Sequence, residues 1–181
     1  MRIISGKNKG KRIIAPSKLP VRPTTDFAKE ALFNILNNHF FFDDICVLDL
    51  FAGTGNISYE FASRGTTHIT SVDSDISCIK FIQKTANELD FDIQAVKADV
   101  YIFLEKTNAQ YDIIFADPPY EFSMELFSKI ISLIFKRNLL EDEGMLIVEH
   151  SIHTDLSDVP NFSYCKKYGG CILSFFKNQS Q

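Results

Sequence analysis

The chain contains no tryptophan, and its four cysteines form no Cys-x-x-Cys pair. The missing spacing argues against a zinc site, and a reducing compartment argues against disulfides. Cys46, Cys78, Cys165 and Cys171 are therefore expected to be inert thiols, and no metal is expected. No apolar run reaches the roughly 18 residues of a membrane span. The charged opening Met1-Arg-Ile-Ile-Ser-Gly-Lys lacks the apolar stretch of a signal peptide behind it. A cytoplasmic protein with no membrane partner is the expectation. Internal repeats and low-complexity tracts are also missing. What remains is 181 residues with 45% hydrophobic content, the size of one domain with a real core. Seventeen phenylalanines can fill that core without needing polar partners.

The net charge of −4 is unevenly spread. Residues 1–30 carry eight Lys/Arg (Arg2, Lys7, Lys9, Lys11, Arg12, Lys18, Arg22, Lys29) against two acids, Asp26 and Glu30. The rest of the chain is strongly acidic. A basic arm on an acidic body can hold phosphates locally. This makes Arg2, Lys7, Lys9, Lys11, Arg12 and Arg22 candidate RNA contacts, with a merely solvated terminus as the plain alternative.

Two β-prone runs, Ile3-Ile4-Ser5 and Arg12-Ile13-Ile14, flank the turn residues of Gly6–Lys11 and predict a small hairpin or extended arm. Pro16, Pro20 and Pro23 then keep the chain out of helix. Residues 26–38 show helical spacing (Phe27, Ala31, Leu32, Ile35, Leu36). Strand and helix alternate from there: strands over 46–50, 68–72, 92–97, 113–116 and 145–149, helices over 56–64, 75–89 and 123–137. A closing hairpin spans Phe162–Tyr168 and Cys171–Phe176. The alternation predicts an α/β domain, a mostly parallel sheet with helices on both faces and antiparallel pairing at one side. Residues 1–25 read as an arm and 26–181 as the main domain.

The first strand runs into Asp49-Leu-Phe-Ala-Gly-Thr-Gly55, where two glycines permit a tight turn and close approach of a ligand. A dinucleotide site wants a third small residue where Ser58 stands, and the lysine of a P-loop is absent. Asp49 would repel a pyrophosphate but suits a cationic amino group, which favours S-adenosylmethionine with its positive sulfonium. Asp49, Phe51, Gly53 and Gly55 are the candidate contacts in this turn. Asp73, closing the second strand, can accept from ribose hydroxyls. Asp75 is a weaker candidate with a helix-capping explanation. Asp99, after the third strand, can receive the adenine amino group.

The strongest signal is Ile113-Ile-Phe-Ala-Asp117-Pro-Pro-Tyr120. Two prolines keep the backbone extended and remove two N–H donors. Asp117 and the carbonyl of Pro118 can then accept both N–H bonds of an exocyclic base amine, and Tyr120 can stack on a base taken out of its stack. Such an amine is a poor nucleophile, because its lone pair is delocalised into the ring. Holding its hydrogens out of plane localises that pair, and positioning does much of the rest.

On these motifs, together with Met1-Arg-Ile-Ile-Ser-Gly, Gly10-Lys-Arg, Arg22-Pro-Thr24, Lys29-Glu-Ala-Leu-Phe-Asn34, Ser63-Arg-Gly65, Val148-Glu-His150 and Lys167-Tyr-Gly169, the chain resembles the 16S ribosomal RNA guanine-N2 methyltransferases over nearly its whole length. The resemblance implies a Rossmann-like, seven-stranded class I methyltransferase fold and S-adenosylmethionine as cofactor. It implies methylation of the guanine of the position 966 type, on 16S rRNA within the small ribosomal subunit or its assembly intermediate. It implies cofactor contacts from Asp49, Gly53, Gly55, Asp73 and Asp99, base contacts from Asp117 and Tyr120, and RNA contacts from the arm. A monomer is expected. The helix start departs from the family pattern at Phe27, which replaces an arginine, and at Lys29, which replaces another. An adenine-N6 methyltransferase acting on DNA or RNA shares the Asp-Pro-Pro-Tyr tetrad. A non-catalytic assembly factor that only binds S-adenosylmethionine, and more distantly a dinucleotide oxidoreductase, complete the alternatives.

Overall fold

A computed structural model describes residues 1–16, 19 and 25–178. After the arm come α1 (Asp26–Leu36), β1 (Cys46–Leu50), α2 (Asn56–Ser63), β2 (His68–Asp73), α3 (Ile76–Leu89) and β3 (Ile93–Lys97). There follow α4 (Val100–Lys106), β4 (Tyr111–Ala116), α5 (Met124–Lys136), β5 (Leu140–Ser151), β6 (Phe162–Tyr168) and β7 (Cys171–Lys177). The seven strands form one sheet in the order β3-β2-β1-β4-β5-β7-β6. The first five are parallel, and β7 runs antiparallel to both β5 and β6. The strand–helix alternation and closing hairpin predicted this architecture.

Two apolar layers flank the sheet, and the period of two along each strand decides which layer a residue joins. Val47, Ile113, Phe115, Met145 and Ile147 face α1, α2 and α3, meeting Leu32, Phe33, Ile57, Phe61 and Ile82. Leu48, Ile114, Ala116, Leu146 and Val148 face α4 and α5, meeting Leu104, Phe127, Ile130 and Ile134. Helix starts are set by side-chain caps. Thr25 Oγ1 accepts from Ala28 N, Asp75 from Ser77 N and Cys78 N, and Ser123 from Leu126 N.

Three expectations change. Helix α4 was not predicted. It has seven residues, about two turns, and its start signal, Asp99 as a cap before Val100-Tyr-Ile-Phe-Leu, reads equally as a ligand contact. Strand β5 reaches back to Leu140 rather than starting at Met145, because an irregular register opposite Tyr111 and Ile113 lets it pair across Gly144. The arm makes only an isolated bridge, Arg2 opposite Arg12, with Ile3 N donating to Lys11 O and Ile13 N to Met1 O. Its Ile3 and Ile13 are buried in the layer of α1–α3. Among the described residues, no helix is long and apolar enough to cross a membrane.

Candidate active site

β1 and β4 are neighbours in the sheet although β2 and β3 separate them in sequence. The chain leaves β1 toward one edge and comes back through β4 toward the other. Their C-terminal ends therefore open the crevice in which parallel α/β sheets bind ligands. The turn Asp49–Gly55 lies on one side of this crevice and Asp117–Tyr120 on the other. Leu50 pairs with Ala116, and Asp117 N donates to Leu50 O at 3.4 Å, so the two segments begin at the same level.

Asp49 faces α2 and is only 2% exposed. Its Oδ2 accepts from Ser58 Oγ at 2.6 Å, and that hydroxyl lies 2.7 Å from Ser71 Oγ. Burial lifts the Asp49 carboxyl to about 7, against the opposing pull of the Ser58 hydrogen bonds, and Asp73 adds to the rise. Asp117 is shifted well above the usual carboxylate range, first by burial, then by the nearby charges of Glu149 and Asp49. Glu149 itself is buried near the end of β5. Three carboxylates thus crowd one crevice, and the buried pair Asp49 and Asp117 is held away from the ionised form, a field that a bound cation would relieve.

The turn after β1 is held by packing and hydrogen bonds. Phe51 adopts φ 58°, an unusual conformation for a bulky residue, at the point where β1 ends. Its ring meets Phe122 edge-on at 5.4 Å, and Phe122 in turn meets Phe127 at 5.6 Å. The segment following Asp-Pro-Pro-Tyr is thereby packed onto the turn that follows β1. Gly53 N donates to Asp73 Oδ2 and Asp75 N to Asp73 Oδ1, both at 2.8 Å. Gly55, at φ 79°, precedes α2, and a Cβ there would stand 2.8 Å from the Tyr59 ring. Position 55 must therefore be glycine on both counts. Asp99 caps α4 through Oδ1, accepting from Tyr101 N and Ile102 N at 2.9 and 3.1 Å. Asp75 is the cap of α3, its plainer explanation. Pro118 is buried, while Tyr120 is 51% exposed beside it.

Of the candidate RNA contacts, Arg2, Lys7, Lys9, Lys11 and Arg12 are exposed, and Arg22 lies outside the described residues. Two of them have partners already. Arg2 pairs with Asp26 at 3.3 Å, and Lys7 Nζ donates to Asp90 O while lying 5.1 Å above the Phe91 ring. Lys29 differs from the rest of the basic segment, since it does not face solvent at all. Its Nζ donates to Arg2 O at 2.6 Å and to Asn56 Oδ1 at 2.9 Å, and lies 3.3 Å from Glu60 Oε2. Glu60, also fully buried, accepts from Ile4 N and Ser5 N and pairs with Arg64. Lys29 is therefore an internal tie between the arm and α2 and no phosphate contact. Reading the sequence missed this tie. The available signal was a lone cation beside Ala28, Leu32 and Phe33 and a lone acid between Tyr59 and Phe61.

A seven-stranded sheet of this order, with an acidic switch-point crevice, defines the class I S-adenosylmethionine-dependent methyltransferase fold. Solved structures agree. The likeness to yhhF from Escherichia coli has a TM-score of 0.87 at 28% identity, covering 100% of this chain and 99% of that one. The 16S rRNA N2 G1207 methyltransferase of Thermus thermophilus, solved with AdoMet and guanosine, gives a TM-score of 0.72 at 20% identity, a likeness of fold. It covers 89% of this chain and 45% of that chain. Among curated relatives, Ribosomal RNA small subunit methyltransferase D of Buchnera aphidicola is 34% identical, over 82% of this chain and 75% of its own. The model of the family described as Conserved hypothetical protein 95 matches residues 1–177, and the chain belongs to that family.

Proposed function

We propose that this protein is an S-adenosylmethionine-dependent methyltransferase that methylates the N2 amine of a guanine in small-subunit ribosomal RNA, acting as a monomer in the cytoplasm. The observation that carries this reading is the meeting of two motifs at one switch point: the acidic turn after β1 and the proline-stiffened tetrad after β4. The curated relative's activity on small-subunit ribosomal RNA supports the substrate.

S-adenosylmethionine supplies a methyl group activated on a positive sulfonium. The chain's residues suit that cation, since burial holds Asp49 and Asp117 above the ordinary carboxylate pKa, with Glu149 buried beside them. Asp49 would hold the amino group of the methionine moiety, Asp73 the ribose hydroxyls and Asp99 the adenine amine. Gly53, Gly55 and Phe51 shape the turn. On the acceptor side, Asp117 and the Pro118 carbonyl would take the two N–H bonds of the guanine amine, with Tyr120 stacked on the base. Asp117 then receives the proton that the amine releases as the methyl arrives. The arm, residues 1–25, would contribute phosphate contacts through Arg2, Lys7, Lys9, Lys11, Arg12 and Arg22.

The direct test is transfer of a radiolabelled methyl group to small-subunit RNA that lacks the modification, followed by mapping of the labelled base. Label on guanine N2 is expected. Label on an adenine amine would replace this reading with the N6 alternative.

Cofactor binding should depend on pH. Only ionised Asp49 attracts the ammonium, yet burial leaves much of it protonated near pH 7. Binding should release a proton, and affinity should rise with pH up to about 7 and level off above it. Calorimetry in buffers of different ionisation enthalpy would read the proton. The Asp49→Asn variant should lose the part of the slope centred there, and an unchanged slope would remove Asp49 from the ammonium site.

A further inference from the structure

Phe27 stands in the first turn of α1 with 67% of its surface exposed. Most of this large apolar ring is left for contact with something outside the fold. Its ring lies edge-on to Tyr168, with centroids 6.0 Å apart and planes at 76°. Tyr168 ends β6 at the tip of the closing hairpin. The register places that tip at the functional end of the sheet: Ala116 pairs with Val148, Ser151 with Cys171, and Cys171 with Tyr168. Three strand spacings, about 14 Å, separate β4 from β6, which carries Tyr168. The aromatic pair therefore sits on the same rim as Asp117 and Tyr120, within the span of a few nucleotides.

The charge around the pair has one sign of excess. Arg2 and Arg12 line an open depression of about 570 Å³ with Met1 and Asp26, the residue that precedes Phe27. Lys166 is exposed and, two residues before Tyr168 on β6, shares its face, while Lys167 points to the other. Asp26 is already matched by Arg2, which leaves Arg12 and Lys166 against the exposed Glu30, one turn beyond Phe27. Aromatic faces among cations are how single-stranded RNA is held. Unstacked bases pack on the rings, and phosphates meet the charges. A duplex offers phosphates but no free base faces.

We infer that Phe27 and Tyr168 form a stacking platform for unpaired ribonucleotides that flank the target base, with Arg12 and Lys166 meeting their phosphates. This rests on the RNA methyltransferase reading for its partner. It goes beyond that reading in adding a second base-binding surface outside the catalytic crevice.

The absence of tryptophan makes the test direct. Tyr168→Trp gives a sole indole reporter, to be titrated with a short mixed-sequence single-stranded oligoribonucleotide and with a duplex RNA of equal phosphate number. Quenching by the single strand, and much less by the duplex, is expected. The Phe27→Ala/Tyr168→Ala double variant should bind the single strand about 5- to 150-fold more weakly per lost stack. Its S-adenosylmethionine affinity should stay unchanged, which checks that the fold is intact. Equal quenching by both RNAs, or single-strand affinity unchanged in the double variant, would overturn the platform. Guanine-N2 transfer by the natural chain together with either result would sink the platform alone. Platform binding with label mapped elsewhere would sink the methylation reading and leave the platform standing.

Discussion

Replacing Asp117 with asparagine should lower kcat/KM for methyl transfer by about 10²–10⁴, the range of a positioned acid–base group, while cofactor affinity changes far less. The asparagine amide keeps the shape but presents N–H donors toward an amine that needs acceptors, and it cannot take the released proton. Burial and the charges of Glu149 and Asp49 hold the Asp117 pKa well above the ordinary value, which makes its carboxylate a stronger base but leaves less of it ionised. Activity in the natural protein should therefore rise with pH through that elevated value and level off above it. Glu149→Gln removes the first of the like charges and should move this acid limb to lower pH. A pH–rate profile that does not move would show that Glu149 does not act on Asp117.

The same carboxyl makes a second, opposite prediction about stability. A group whose folded pKa is raised contributes stability that is full below its unfolded value and lost as pH rises through the folded one. Ionised Asp117 is thus a burden on the fold at pH 8, and Asp117→Asn should be more resistant to urea there than the natural chain. Near pH 4 the two should converge, because the natural side chain is then neutral as well. A variant both inactive and more stable is what a functional carboxylate held in an unfavourable place would give.

The parts of the molecule legible in the sequence share a property: their signal is local and periodic. Strands β1, β2 and β4 and helices α3 and α5 announce themselves because each buries a face, and burial leaves a period of two or 3.6 in the residues. The glycine turn and the Asp-Pro-Pro-Tyr tetrad are legible because unusual backbone demands unusual residues. What was not legible depends on meetings between distant segments. That Phe122 would pack on Phe51 could not be read from either ring alone. Helix α4 escaped because seven residues carry little periodicity, and its cap, Asp99, has a second plausible use. The arm was read by its charge, which is on its surface, although Ile3 and Ile13 anchor it in the core. Lys29 was counted with that charge for the same reason.

The Lys29–Glu60 tie supplies the second large effect. Glu60→Gln would leave a buried ammonium among neutral acceptors, Arg2 O and Asn56 Oδ1 among them, and breaking a buried pair this way costs about 3–5 kcal/mol. At about 2–4 °C per kcal/mol for a chain of this size, Tm should fall by about 6–20 °C. The cost should depend on pH in a particular direction. Burial already lowers the Lys29 pKa, and Glu60 is the main influence opposing that shift. Without Glu60 the folded pKa drops further, so the unfolded chain holds the extra proton over a wider range. Stability of the variant should consequently recover as pH rises from the lowered value toward the ordinary lysine pKa, more steeply than in the natural protein. Denaturation curves at pH 7 and pH 9.5 would show it, and a loss equal at both would mean that the missing charge is not the cause. The location of the tie makes this more than a stability matter. Lys29 holds the carbonyl of Arg2, which carries the basic surface, and the side chain of Asn56, which opens α2 behind Gly55. One buried ammonium thus fixes the surface proposed for phosphate against the turn proposed for the cofactor. Lys29→Met should loosen both together, weakening RNA binding and cofactor binding in one variant, whereas Arg12→Gln at the surface should weaken only the first.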